Sequence, residues 1–410
     1  MTFNATLSSD KLVYLDNNAT TRIDPKALEV MLPYLDTFYG NPSSIHRLGA
    51  VVGHAMETAR EQVQQLIGAE HASEVIFTSC ATEATSTAIL SAVEAYPDKK
   101  EIITTQVEHP ATLQLCQTLE RKGYTIHWIG VDKKGRLDMT ALKAALSRNV
   151  AIISIMWANN ETGTIFSVEQ VAQLAKRYGA VVHVDAVQMV GKCPVNVQSC
   201  SIDMLSISGH KFHAPKGVGA LYVKRGTKFR PLLRGGHQER GRRAGTENAA
   251  SVIAMGKAAE LACVALETET HRIQMLRDRL EQGLLARIPN CFVTGFPKRR
   301  VPNTTNIAVE YVEGEALLLM MNQVGIAASS GSACTSGSLE PSHVMKAMQI
   351  PFTAAHGTLR FSLSRFTTDE DIDHVLEHLP PIVARLREMS PYWNSETQQG
   401  SETEFIPVYG

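Results

Sequence analysis

Between about Glu74 and Lys224 the chain alternates short apolar runs with longer segments whose apolar residues recur at helical spacing. The runs read EVIFTSC, EIITTQV, YTIHWIGV, VAIISIMWA, AVVHVDA, IDMLSIS and VGALYVK. Most are apolar continuously rather than at every second position, the pattern of strands covered on both faces. Segments such as Thr82–Tyr96 and Val168–Tyr178 separate several of them as helices. Alternation of this kind predicts an α/β fold around a mainly parallel sheet. Ligands of such sheets bind beyond the C-terminal ends of the strands. The polar residues that directly follow each run are therefore the candidates for chemistry.

A helical stretch rich in Ala, Leu, Glu and Arg covers roughly Ala249–Arg287. Shorter elements follow: CFVTGF, TTNIAVEYV, the helical EGEALLLMMNQVG, the strand-like TLRFSLS and the helical TDEDIDHVLEHLPPIVARL. These predict a second, smaller α+β domain over 259–390, after a large α/β domain over 21–258. Residues 1–20 are expected to join the small domain or bridge the two, and the polar tail 391–410 to be flexible.

With 410 residues, 44% of them hydrophobic, the chain can bury a large core. Lys and Arg number 40, Asp and Glu 41, so the net charge of −1 favours neither nucleic acid nor an acidic membrane surface. No cationic segment followed by an apolar stretch opens the chain, and no apolar run approaches the ~20 residues of a membrane span. The expectation is a soluble, cytoplasmic protein. Seven scattered cysteines without a CxxC pair predict thiols rather than a disulfide framework or a structural zinc site.

The strand ends carry specific chemistry. Asp185, closing VVHVDA, is a carboxylate at the end of a buried run and must be paired or solvated. A helix cap or buried ion pair would satisfy it, and so would the protonated ring nitrogen of a heterocyclic cofactor. Gln188, three residues on, is placed to reach such a cofactor's ring oxygen. In LSISGHKFHAPKG, Lys211 follows a strand beside Ser208 and His210. A surface lysine in a turn is one reading; an amine of lowered pKa forming a Schiff base with an aldehyde cofactor is the other. TSCATE turns from strand to helix at Ala81 and Thr82, either a plain cap by Thr82 or a phosphate site on free backbone N–H groups.

His109 in VEHPA opens a helix as a packed cap, or as a ring that stacks on a cofactor and moves protons. Asn159 and Asn160 in WANNETG are turn residues or polar contacts to substrate or cofactor. Cys334 stands in SSGSACTSGSLEPSH, a run without apolar pattern, as an incidental thiol or as a nucleophile on a loop that must reach and withdraw. Arg360 and Arg365 in TLRFSLSR offer guanidinium forks for a carboxylate. A surface salt bridge is the alternative, better suited to Arg365.

As an ordered set, YLDNNATT, GNPSSIH, FTSCATE, VEHPA, WANNETG, HVDAVQ, SGHKFHAPKG, GGHQERGRRAGTEN and SSGSACTSGSLEPSH resemble the cysteine desulfurases. These are pyridoxal-phosphate (PLP) enzymes of the class V aminotransferase family, and the nitrogen-fixation branch is the nearest in pattern. The resemblance implies the aspartate-aminotransferase-like PLP-transferase fold, with a mainly parallel seven-stranded sheet. It implies that Lys211 holds PLP and shuttles protons. Asp185 would pair with the pyridine nitrogen, Gln188 with the ring oxygen, and His109 with the ring face. Ala81, Thr82, Ser208 and His210 would hold the phosphate. Thr246 would reach the phosphate of a neighbouring subunit, implying a homodimer. Arg360 and Asn159 would contact substrate and cofactor. Cys334 would carry sulfur from L-cysteine as a persulfide, leaving alanine, for an iron–sulfur scaffold that would serve nitrogenase. The metal expectation is a transient cluster shared with that scaffold through Cys334. The sequence departs from the family's frequent Glu-Ser-Asp-Asn at Glu83-Ala84-Thr85-Ser86, and has Cys80 where many relatives have Gly. A selenocysteine or other C–S lyase, a class V aminotransferase, and a non-catalytic sulfur carrier remain rival readings.

Overall fold

The computed structural model describes residues 12–330, 341–394, 397 and 399–400. Its strands, in chain order, are β1 (Val13–Tyr14), β2 (Val75–Thr78), β3 (Glu101–Thr105), β4 (Thr125–Ile129), β5 (Val150–Met156), β6 (Val181–Asp185), β7 (Met204–Ser208), β8 (Gly219–Val223), β9 (Cys291–Val293), β10 (Thr304–Val309), β11 (Ile326–Ala327), β12 (Thr358–Ser362), β13 (Trp393–Asn394) and β14 (Gln399–Gly400). Among the described residues, β2 to β8 form one seven-stranded sheet in the order β2-β8-β7-β6-β5-β3-β4. It is parallel except for β8, which runs antiparallel to both neighbours. All seven residues of β5 and all five of β7 are buried, as their unbroken apolar runs require.

One polar layer interrupts this core. Ser154, His183 and Ser206, on adjacent strands, are joined by hydrogen bonds of 2.9 and 2.7 Å through the His183 ring. Burial pushes His183 down to about 3, so the ring is neutral and both its nitrogens are satisfied inside the sheet.

Helix ends follow local chemistry. Asp24 caps the helix Pro25–Met31, whose first residue is the proline that a helix start tolerates. Gly68, at φ +64°, closes the helix Arg47–Ile67. Thr368 and Asp371 form a reciprocal capping box on Asp369–Glu388.

The expected long helix over 249–287 is two helices, Ala249–Thr268 and Thr270–Arg287, which meet at Glu269. The first runs unbroken through position 258 and packs on Arg47–Ile67 in the first core. Small residues let the two axes approach: a Cβ on Gly256 would stand 2.4 Å from Ala59 Cα. The chain therefore leaves the first core after this helix, not at 258/259. Ala249–Thr268 is also long and apolar enough to cross a membrane by length and composition, with a mean hydropathy of 1.6. That corrects the expectation that no such stretch exists. Its apolarity comes from alanines spread round the helix rather than from a visible run, and most of it is buried within the protein.

A second core forms on the antiparallel sheet β12-β10-β9 and joins Leu280, Phe361 and Ile372 to Val13 and Leu15. The N-terminal segment thus enters the second core through β1, parallel to β11, while Ala27 lies in the first. Part of the expected flexible tail is ordered by pairing. Strand β13 pairs with β14, and the Trp393 ring lies against Tyr311 and under the Arg387 guanidinium. Residues 401–410 lie outside the described residues.

Candidate active site

A cleft of about 700 Å³ opens beyond the C-terminal ends of β3, β5, β6 and β7, between the two cores. Ala81, Thr82, His109, Asp185, Gln188, Ser208, His210, Lys211 and Arg360 all line it. Sheet topology brings them together: Ala81 and Thr82 follow β2, His109 follows β3, Asp185 and Gln188 end or follow β6, and Ser208, His210 and Lys211 end or follow β7, all parallel strands whose ends point the same way, while Arg360 comes from β12.

One corner suits an anion. The helix Ala81–Ala95 begins after Cys80, and no side chain caps it. Thr82 is inside the helix and is not its cap. The first N–H groups and the positive end of the helix dipole therefore face the cleft. Gly219 on β8 permits this arrangement, because a Cβ there would stand 2.8 Å from the Cys80 carbonyl carbon and from Ile207 O. Ser208 is buried at the same corner. His210 Nδ1 lies 3.1 Å from the Thr20 hydroxyl. Burial, then Lys211, Lys216 and Lys192, push His210 down to about 4, so it is a neutral ring at physiological pH.

The opposite side suits a cationic ring. Asp185 Oδ1 accepts the Val187 N–H at 3.0 Å. Burial raises its pKa, while His109 and Lys211 pull it down. A carboxylate held this way gains from a protonated nitrogen placed in the cleft. His109 caps the helix Pro110–Arg121, its Nδ1 accepting the Ala111 N–H at 3.2 Å, so the proton of the neutral ring resides on Nε2. Burial lowers its pKa, with Asp185 opposing and Lys211 adding.

Lys211 Nζ donates to the backbone oxygens of Asn18 at 2.7 Å and Ala19 at 2.6 Å. Arg360 on β12 reaches in from the second core, donating to Asn160 O at 3.1 Å and Asp16 Oδ1 at 2.7 Å. Its buried Nε has no partner among the described residues. The donor set thus matches a phosphorylated pyridine aldehyde: an anion corner, a carboxylate, a primary amine, and a guanidinium for a substrate carboxylate.

The aminotransferase class-V family matches residues 13–375. The cysteine desulfurase NifS of Azotobacter vinelandii is 61% identical over 97% of this chain and 99% of its own length. The cysteine desulfurase of Enterobacter agglomerans is 60% identical over 98% and 100%. The chain belongs to the class-V aminotransferases, among the cysteine desulfurases. Solved structures agree: a NifS-like protein superposes with a TM-score of 0.86 at 36% identity, over 92% of this chain and all of that one. A NifS-like protein from Rickettsia africae gives 0.82 at 29%, over 91% and 100%. Cysteine desulfurases of this family are PLP-dependent.

One of the desulfurase's expected contacts, Asn159, is turned away from the cleft. Asn159 turns its amide inward: Oδ1 accepts the N–H groups of Glu161 and Thr162 at 2.9 Å, and Nδ2 donates to Val107 O. Its side chain is spent on the turn, and Asn160 lines the cleft instead. Thr246 is exposed and does not line the cleft of its own chain. Cys334 lies outside the described residues. Its described flanks meet at the cleft: Ser329 pairs with Arg360 through backbone hydrogen bonds, and Pro341 and Ser342 line the cavity. Arg365 lies outside this cleft and pairs with Asp24 at 2.5 Å, in a half-buried rather than surface position. The six described cysteines are free thiols, and no described group of His, Cys, Asp and Glu is arranged to hold a metal.

The site also contains residues that sequence reasoning passed over. Asp16, Asn18 and Ala19 come from YLDNNATT. Glu161 accepts the Ser342 hydroxyl, and burial lifts its carboxyl to about 7. His343 Nε2 lies 2.9 Å from Glu108 O. Lys192, buried and bonded to Gln188 and Asn18, had no signal beyond its place four residues after Gln188.

Proposed function

We propose that this chain converts L-cysteine to L-alanine with PLP held by Lys211 and sulfur received by Cys334. The observation that carries the reading is the convergence of a primary amine, a half-buried carboxylate and an uncapped helix N-terminus on one cleft. When bound, PLP supplies the electron sink for the carbon centre. Ala81, Thr82, Ser208 and His210 hold its phosphate, Asp185 its ring nitrogen, Gln188 its ring oxygen, and His109 its ring face.

Arg360 receives the substrate carboxylate with its fork, and Asn160 O and Asp16 hold the guanidinium in place. The Asn18 and Ala19 carbonyls aim Lys211 Nζ, which takes the α-proton and returns it to carbon. His109 offers Nε2–H as a second proton donor. The Cys334 thiolate attacks the substrate sulfur: the S–S bond forms, the Cβ–S bond breaks, and its electron pair stays on carbon to be protonated. Cysteine plus thiol gives alanine plus persulfide, and no other reactant is required.

Similarity to a NifS protein supports sulfur supply for nitrogenase, and the proposal includes an iron–sulfur scaffold protein as acceptor and a cytoplasmic location. The apolar side chains Leu32, Leu35, Tyr39 and Ile45, exposed within a short stretch, support a second copy of the chain on this face. The exposure of Thr246 is consistent with a contact to that copy.

The test is spectral and chemical. Lys211→Ala reconstituted with PLP should lose the visible band of the wild type, and Cys334→Ala should keep it. The cysteine variant should release no sulfide. A full band in the first variant, or undiminished sulfide from the second, refutes the corresponding assignment.

A further inference from the structure

Lys192 follows Gly191, whose φ is +76°. A Cβ at Gly191 would stand 2.6 Å from Phe212 Cβ, so the glycine lets this turn press against the residue next to Lys211. The Lys192 side chain is buried and ends on two amides. Nζ donates to Asn18 Oδ1 at 2.8 Å and to Gln188 Oε1. Neither acceptor is a carboxylate, so burial leaves the amine far below the ordinary lysine range, with Lys211 and Arg360 adding to the effect.

The chemistry of the three groups fixes their orientation. A side-chain amide has nearly the same shape either way round, and only its partners decide which end is oxygen. Backbone oxygens can only accept, and they face the NH2 end of each amide, Asn18 O that of Gln188 and Asn160 O that of Asn18, so the end of each that faces Lys192 is oxygen and the amine donates to both. Gln188 must then turn its NH2 group the other way, where one hydrogen goes to Asn18 O at 3.0 Å. The second is left for the cleft. Asn18 turns its own NH2 to Thr304 Oγ1 at 2.9 Å and Asn160 O at 3.1 Å, and its Oδ1 also accepts from Asn303 at 3.2 Å. The Asn18 backbone oxygen, so placed, is the acceptor of Lys211 Nζ. One buried amine thereby links β6, the N-terminal segment and the edge of the second core to the reacting lysine.

We infer that Lys192 is a positioning residue: by donating to Gln188 Oε1 and Asn18 Oδ1, it commits Gln188 to offer an N–H to the cofactor's ring oxygen and Asn18 to hold Lys211. This rests on the reading above that PLP is bound at Lys211. It assigns no contact between Lys192 and substrate or cofactor.

The experiment follows the visible band of the PLP-loaded protein against pH. His109, Asp185, His210 and Arg360 face the same region and are unchanged in every variant. In Lys192→Met the Gln188 amide keeps its bond to Asn18 O but loses the donor on its oxygen end, so it is free to swing and the ring oxygen loses its aligned N–H. The nitrogen joining Lys211 to the cofactor then keeps its proton to higher pH, and the midpoint rises by about one unit. Lys192→Gln restores a neutral donor and brings the midpoint most of the way back. In steady state Lys192→Met lowers kcat about tenfold while KM for cysteine, carried by Arg360, stays within about twofold. A methionine variant with an unmoved midpoint overturns the inference, and so does a glutamine variant displaced as far as the methionine one. If Lys192→Met does not fold, Gln188→Leu takes its place: it should show the same rise, and an unmoved midpoint there again overturns the inference. A wild-type protein that binds PLP without any visible band overturns the reading at Lys211 instead, and this inference with it.

Discussion

Replacing Gly219 by alanine tests the anion corner without touching a polar group. Gly219 lies on β8 in register with Thr78 on β2 and Ser208 on β7. Its backbone is ordinary, so a methyl group adds no conformational strain, only contact. That methyl would meet the Cys80 carbonyl carbon and Ile207 O at 2.8 Å each, and Cys80 Cα at 3.1 Å. All three are backbone atoms, and one lies in a sheet strand that cannot recede. The Cys80 turn must therefore withdraw by about 0.6 Å to reach ordinary contact. Because Cys80 leads straight into Ala81 and Thr82, the first N–H groups of the helix move with it. Hydrogen bonds to a charged group are worth about 1.5–3 kcal/mol each, and a stretch of this size removes most of one. The expected loss is about 2 kcal/mol, roughly 30-fold in PLP affinity. The assay is absorbance-monitored reconstitution of the apoprotein with PLP and, in parallel, with pyridoxal, which lacks the phosphate. Pyridoxal binding should be nearly unchanged. Equal losses for both would place the damage at Lys211 rather than in the cradle, and PLP affinity within about twofold of wild type would refute the reasoning outright.

Three further outcomes follow from the same geometry. Glu108 is fully buried, with Oε1 accepting from Thr105 Oγ1 and Met156 N and Oε2 unpartnered among the described residues, and burial lifts its carboxyl to about 8. The folded state keeps a proton that the unfolded chain releases near its ordinary value, so stability falls as pH rises through that window. Glu108→Gln should match wild type near pH 5 and exceed it by about 3 kcal/mol above pH 8 in thermal melts, whereas a pH-independent gap would contradict the assignment. Gly256→Ala forces a methyl group into Ala59, and should cost about 2–3 kcal/mol, seen as a drop of several degrees in melting temperature; an unchanged melt would mean the two helices can separate freely. Arg360→Lys loses the planar fork, and should raise KM for cysteine about tenfold while leaving turnover of cysteamine, which has no carboxylate, near wild type. Equal effects on both would remove Arg360 from substrate binding.

The sheet was legible in the chain because burial on both faces demands continuous apolar runs, as in β5 and β8, although the edge strand β4 is only partly buried. The strand ends were legible for the same reason: Asp185, Ser208 and His109 are polar residues where a buried run stops, and a parallel sheet gathers such ends on one edge. What sequence could not decide was side-chain direction within a turn and contact across long separations. Asn159 and Asn160 are adjacent and chemically alike, yet the turn's own N–H groups consume the first and leave the second to the cleft. Lys192 lies in an unremarkable GKC stretch, and its meaning depends on Asn18, more than a hundred residues away. That contact exists because the N-terminal segment passes from the second core, at Val13 and Leu15, to the first, at Ala27. Local periodicity reports which face of an element is buried. It carries no record of which distant polar group will be waiting there, and in this protein the amine of Lys211 is aimed by such groups.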